Sequence, residues 1–235
     1  MYELNKSQSK IWVEKYLNPF MEQNEFVLKK TRNSDLIFIK MNSIGQEKLN
    51  LGFLNSFPGT QIEYYYKFKI NLIEDILNKL LVAISRDEKS SEIYTIGLNQ
   101  ASIDNIRSNS FMPEMVTEED VKKSCDLVIN FLEKTGFPLA ERFKDIKEFD
   151  KEINGENFWE SDWQKPFTLG NDFDTKRVII AHLANNPKIN ELIDFHIKER
   201  KMKIELGEYI EIHKNGLNKF LNAIEYMKNH CNLLY

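Results

Sequence analysis

The sequence predicts an α+β protein: an N-terminal helix and an antiparallel sheet of about five strands, packed with a helical C-terminal half. Three observations carry that reading. Apolar and polar residues alternate through the early chain, most clearly where Ile62, Tyr64, Tyr66, Phe68 and Ile70 interleave with Glu63, Tyr65, Lys67 and Lys69, the period-two pattern of a half-buried strand. The connections between strand candidates are short, which favours antiparallel neighbours over crossover units. Beyond residue 116 apolar residues recur at helical spacing, and strands first with helices later is the order of an α+β chain.

Residues from about Gln8 to Asn24 form an amphipathic pattern with Val13, Tyr16, Leu17, Phe20 and Met21 on one side. Pro19 lies inside it and predicts either a kink or a break in which Asn18 caps a second helix. Four strands follow, Phe26–Arg32, Asp35–Met41, Glu47–Asn55 and Thr60–Ile70, joined through Asn33-Ser34, Asn42-Ser43-Ile44-Gly45 and Pro58-Gly59. A helix over Leu72–Ile84 carries Ile73, Ile76, Leu77, Leu80 and Leu81 as its stripe, with Asn71 as its cap. A fifth strand is expected at Ile93–Leu98, and about 100–115 reads as irregular or weakly helical.

Thr117 and Asp120 form a capping-box pair, and Val116 and Val121 occupy the positions of a hydrophobic staple. Val121, Cys125, Val128 and Leu132 line the buried side. Gly136 is read as the left-handed residue past the end, with Pro138 stopping continuation. Another helix is expected over Leu139–Lys151, with Phe143, Ile146 and Phe149 inward. The chain closes with helices at about Thr175–Ala184, Ile189–Leu206 and Glu208–His230; Gly216 interrupts the last and marks close packing. Residues 1–115 are expected to form the helix-plus-sheet region and 116–235 a helical region packed on it as one compact unit.

The chain has 235 residues, 42% hydrophobic and 12% aromatic, enough for a core that needs no metal or disulfide. Its formal net charge is −4, and the first hundred residues are balanced, with 13 basic against 12 acidic side chains. Neither part has the positive excess that phosphate-backbone binding demands, so nucleic acid is not expected as a partner. No run approaches a membrane span and the N-terminus lacks a signal-peptide pattern, so the expectation is a cytoplasmic protein. Cys125 and Cys231 belong to no metal framework, and Cys125 reads as a buried thiol. Neither a cofactor nor a metal is expected: there is no glycine-rich phosphate loop, nucleophile elbow or His-Glu-x-x-His pattern.

Candidate binding residues fall in three places. Trp159 and Trp163, in the aromatic and acidic stretch 156–174, suit a recognition surface; the plainer reading makes them rings that pin a loop inward. Asp172 and Asp174 precede His182 and could bind a cation or move a proton; the plainer reading makes them caps at a helix start, with His182 an ordinary helix residue. His196, Glu199 and Arg200 lie close on one helix with Asp194 nearby, too common a grouping to define a metal site.

A leading helix ending in Asn24-Glu25-Phe26, then Lys29-Lys30 and Asp35-Leu-Ile-Phe-Ile-Lys40, then paired strands closing on an amphipathic helix, resembles small uncharacterised bacterial domains, some of them immunity proteins found beside polymorphic toxins. The resemblance covers about the first hundred residues. It implies a cytoplasmic bacterial protein acting by binding a protein partner, and carries over no functional residue. The expected function is therefore a non-enzymatic protein-binding module. The alternative is a small-molecule hydrolase with His182 or His196 beside carboxylates in a cleft between sheet and C-terminal helices.

Overall fold

The computed structural model describes residues 5–30, 35–56, 58–84, 94–98, 112–155, 167–168, 172–207 and 209–230. Its contacts divide the chain into two compact units: Met1–Lys69 with Ile96–Glu141 and Gln164–Thr168, and Ile70–Thr95 with Arg142–Trp163 and Leu169–Tyr235.

The first unit opens with α1 (Lys6–Gln23), started by a reciprocal capping box between Asn5 and Gln8. Ser9, Val13, Leu17 and Met21 are buried at four-residue intervals. The alternative of a break at Pro19, with Asn18 as a second cap, does not occur. The helix runs through it, with Pro19 on the exposed side, where the unpartnered carbonyl four residues back can turn to water.

Six strands then lie side by side in chain order: β1 (Val27–Lys30), β2 (Leu36–Asn42), β3 (Gly45–Asn55), β4 (Thr60–Ile70), β5 (Ile96–Leu98) and β6 (Phe167–Thr168). The antiparallel sheet and the bounds of β4 are those the alternation predicts; Ile93 lies outside the described residues. The sixth strand, two residues pairing with Gly97 and Leu98, is too short to show a period. Leu36, Phe38, Leu49, Leu51, Phe53, Ile62, Tyr64, Tyr66 and Phe68 are buried on one face, and α1 lies against β1, β2 and β3 on that side.

The capping box of Thr117 and Asp120 starts α3 (Glu118–Phe131), and Val121, Cys125, Val128 and Leu132 are buried as expected. Burial pushes the Cys125 thiol up to about 12, so it stays protonated. The helix does not stop at Gly136. A π-helical turn, Leu132–Gly136, carries it into α4 (Phe137–Arg142), with the Phe137 N–H donating to the Leu132 carbonyl. Pro138, which has no N–H to give, falls where the hydrogen-bond spacing changes. Gly136 is not left-handed. It is glycine because a Cβ there would stand 2.9 Å from Cδ1 of Tyr66. Tyr66 is the hub of this core: Phe26, Phe68 and Phe137 surround its ring, and its O–H donates to buried Glu47; burial, reinforced by that carboxylate, pushes the phenol well above its ordinary value.

The second unit begins with α2 (Asn71–Ile84), in which Ile73, Leu77, Leu80 and Leu81 are buried; Asn71 is its first residue rather than its cap. The single helix expected over 139–151 is two. The chain breaks after Arg142, and Asp145 caps α5 (Ile146–Asn154) by accepting the Lys147 N–H at 2.8 Å. Phe143 and Phe149 point inward across the break, with ring centroids 4.6 Å apart. Then come α6 (Phe173–Leu183), α7 (Ile189–Glu205) and α8 (Ile210–His230). Among the described residues no helix is long and apolar enough to cross a membrane.

Replacing Gly136 by alanine puts a methyl into the Tyr66 ring, and overpacking of this kind costs about 1–3 kcal/mol. Gly136→Ala should lower the urea midpoint accordingly, and that loss should disappear in a Tyr66→Ala background, whereas a capping role would leave it unchanged there.

Candidate functional site

Helix α6 is the element around which the second unit is built. It touches α2, α5, α7 and α8, and every residue from Asp174 to Ala181 is buried. Val178, Ile179, Ile180 and Ala181 make that burial favourable. The same helix carries Asp174, Lys176 and Arg177 into the interior, and an unpaired ion there would cost several kcal/mol.

Each has a partner. The Lys176 ammonium lies 3.0 Å from Oε1 of Glu74 on α2 and donates to the Tyr94 carbonyl at 2.6 Å. The Thr95 hydroxyl donates to the same carboxylate at 2.7 Å and accepts the Ile70 N–H at 2.9 Å. Burial lowers the lysine pKa, and the glutamate opposes that shift. Arg177 donates from Nε to Oδ1 of Asn154 at 2.9 Å and from Nη2 to the Ile153 carbonyl at 3.2 Å. The Asn154 amide donates in turn to Asp150, as does that of Asn186. Burial raises the Asp150 pKa even so.

Asp174 completes the set, and the histidine it meets is His196 instead of the His182 the sequence placed after it. Arg200 on α7 donates from Nε to its Oδ2 at 2.7 Å, and Nη2 also pairs with that oxygen. Nδ1 of His196 stands 3.4 Å from Oδ1 and 4.0 Å from a Glu199 oxygen. His196 is 1% exposed. The rings of Phe173, Phe195 and Phe220 meet it nearly edge-on at 5.3–6.0 Å. Among the described residues neither ring nitrogen makes a hydrogen bond. Burial, with Arg177, Arg200 and Lys203 nearby, lowers its pKa to about 3, so the imidazole is neutral at ordinary pH.

The capping expected of the two aspartates is replaced by ion pairing. Asp172 stands before α6 with φ 58° and makes no side-chain cap bond; its carboxylate pairs with Lys219 of α8 at 3.0 Å. His182 is half-buried, has its pKa lowered by burial, and meets no carboxylate among the described residues. Asp194 is exposed, while Trp159 and Trp163 lie outside the described residues. Among those residues no group of three His, Cys, Asp or Glu side chains could hold a metal ion. Sequence reasoning missed Glu74, Asp150, Asn154, Lys176 and Arg177. The available signal was the run Val178–Ala181, apolar all round, which places a helix in an interior and obliges its neighbouring charges to find partners.

Gly216 does mark close packing: a Cβ there would stand 2.3 Å from Nη1 of Arg200. Arginine thus crosses α8 at the glycine and reaches α6. Comparison of the chain with family models, with curated proteins and with solved structures finds no match.

Two outcomes follow from this geometry. A histidine at its ordinary 6.5 in the unfolded chain and about 3 in the folded one contributes stability that is present above pH 6.5 and lost as pH falls toward 3. Between pH 7 and 5 the loss should be about 2 kcal/mol, and His196→Leu should remove that slope from urea midpoints while His182→Gln leaves it. Gly216→Ala in a helix usually gains about 1 kcal/mol; here it must displace a guanidinium from Asp174, and a net loss of about 1–2 kcal/mol is expected. Placing Arg200→Ala beneath it should turn the alanine stabilising.

Proposed function

We infer that the protein is a non-enzymatic protein-binding module of the immunity-like, cytoplasmic bacterial kind, and that the outer face of its sheet engages an acidic protein partner. One observation supports this most. Opposite the buried face, strands β1–β4 turn Lys29, Lys48, Lys67 and Lys69 outward among exposed Val27, Met41, Leu54 and Tyr65. Glu63 is the one carboxylate of these strands in that set, and it accepts the Tyr65 hydroxyl at 2.7 Å. Apolar and aromatic side chains within a predominantly positive field are the composition of a surface that steers and then holds an oppositely charged partner. The near-neutral charge of the whole first part hides this, because Glu14 and Glu22 lie on α1, Glu25 follows that helix and Glu47 is buried on the other face.

The hydrolase reading rests on the approach of His196 to Asp174. It needs a solvent route to a ring enclosed by three phenylalanines and a carboxylate released from Arg200, and it ranks second.

The test is a partner captured by the full chain from its own cells, then titrated in pure form. Lys48→Glu with Lys67→Glu should weaken Kd at least about tenfold, mostly through association rate and more at low salt, with the melting temperature unchanged. An affinity indifferent to both the charge reversal and salt would sink the sheet-face reading.

A further inference from the structure

The sheet stops one strand early on its β1 side. Among the described residues no strand lies beyond Val27–Lys30, so alternate residues of β1 turn an N–H and a C=O outward with no ladder to join. The side chains there are unfinished as well. Every inward apolar residue of β2, β3 and β4 is buried, but Leu28, inward on β1, is only half-buried. Val27, on the outer face, is 64% exposed and stands opposite Ile39, with Lys29 opposite Ile37. Residues opposite one another, or two apart along a strand, are neighbours on one face. Val27, Ile37, Ile39 and Met41 therefore make one apolar strip that reaches the edge, and Lys29 flanks it.

Charge decides what can lie along that edge. From Glu25 to Lys40 the chain carries Lys29, Lys30, Arg32 and Lys40 against Glu25 and Asp35. Lys40 is committed to Glu25 at 3.0 Å, and among the described residues exposed Lys29 has no carboxylate partner. A lysine on a short edge strand is the usual guard against edge-to-edge pairing. The sign of that guard also says what it admits. A second copy of β1 would bring the same cations and no acid, since Val27–Lys30 contains none. A strand bearing a carboxylate opposite Lys29 turns the guard into an attraction.

We propose that β1 is a strand-addition edge: an extended acidic segment of the protein partner lies antiparallel along it as a seventh strand. Its acid stands opposite Lys29, and apolar residues stand opposite Leu28 and Val27, which reads acid, apolar, apolar from N- to C-terminus. Main-chain bonds to the outward groups of β1 supply affinity, and these three side chains supply the selection. The inference rests on the sheet-face reading for the kind of partner and the sign of its charge, and adds how that partner is held.

The probe is the peptide acetyl-Thr-Thr-Glu-Val-Val-Thr-Thr-amide, titrated into the isotope-labelled full chain and followed by amide NMR. Binding with a Kd of about 1 mM or tighter is expected, with shifts centred on Val27–Lys30 and slowed exchange at alternate β1 amides. Lys29→Glu should weaken it about fivefold with the melting temperature unchanged. N-methylating the peptide at alternate positions should abolish binding, and at the intervening ones should leave it, a two-residue period that docking through side chains alone does not produce. No binding at that strength, shifts centred elsewhere, or indifference to Lys29→Glu or to the position of the methyl group overturns the proposal. A captured partner separates the two readings. If it weakens on reversal of Lys48 and Lys67 yet leaves the β1 amides unprotected, strand addition alone fails; if it ignores the reversal, the sheet-face reading fails and takes this one with it.

Discussion

Three charged side chains within four residues of α6 have to be buried together, and the second unit is arranged to make that tolerable. Lys176 needs Glu74 and the Tyr94 carbonyl, and Thr95 holds the same glutamate, which ties α2 and the 94–95 segment to the helix. Arg177 needs Asn154 and the Ile153 carbonyl, which ties in α5. Asp174 needs Arg200, which ties in α7, and Asp172 reaches Lys219 on α8. Each neighbour of α6 therefore contributes a group of complementary polarity at one position. Buried pairs of this sort add little net stability against apolar side chains of the same volume, but a missing partner costs several kcal/mol. Their effect is to penalise every other register of the four helices more heavily than the native one.

The first unit solves the same problem by different means. Its core is apolar on the sheet side, with Glu47 as the buried carboxylate of the strands, held by the Tyr66 hydroxyl and by the Asn42 amide at 2.8 Å. Register there is set by the alternation, since a one-residue slip would turn Leu49, Leu51 and Phe53 outward. Close approach fixes the rest. The ring of Tyr66 fills the space that a side chain at position 136 would take, so the π-helical turn and the sheet centre are matched to each other.

This difference decides what could be read in advance. Strands β2–β4 and helices α2, α3 and α8 write their burial into a simple period, and Thr117 with Asp120 marks a helix start by residue type alone. Where two residues compete for one signal, local reading failed. Gly136-Phe137-Pro138 carries every mark of a helix end, yet the glycine is there for Tyr66 and the proline is accommodated by a π-helical turn. Asp145 broke the helix expected over 139–151 because a short acid with a free turn ahead of it caps more readily than it continues. The charge cluster was harder still. Asp172 and Asp174 stand where caps belong, and the facts that reassign them, Arg200 and Lys219, lie 26 and 47 positions along the chain, shown by their numbers alone. No periodicity encodes a contact at that distance.

His196 then raises a question of charge rather than of size, because the three phenylalanine rings around it would accept another. The facing groups are Asp174 from α6 and Glu199 from α7 on the negative side, and Arg177, Arg200 and Lys203 on the positive. Arg200 already occupies Asp174, and Lys203 occupies Glu199 at 2.9 Å. A proton on the imidazole would add a cation to a site whose anions are committed, so the ring stays neutral. A neutral imidazole is still a better neighbour for the carboxylate than a benzene ring, because it can turn a polar edge toward Oδ1 without bringing a charge. The residue fits the site as long as it remains unprotonated, which makes the packing of α7 on α6 dependent on pH through one side chain that no solvent reaches.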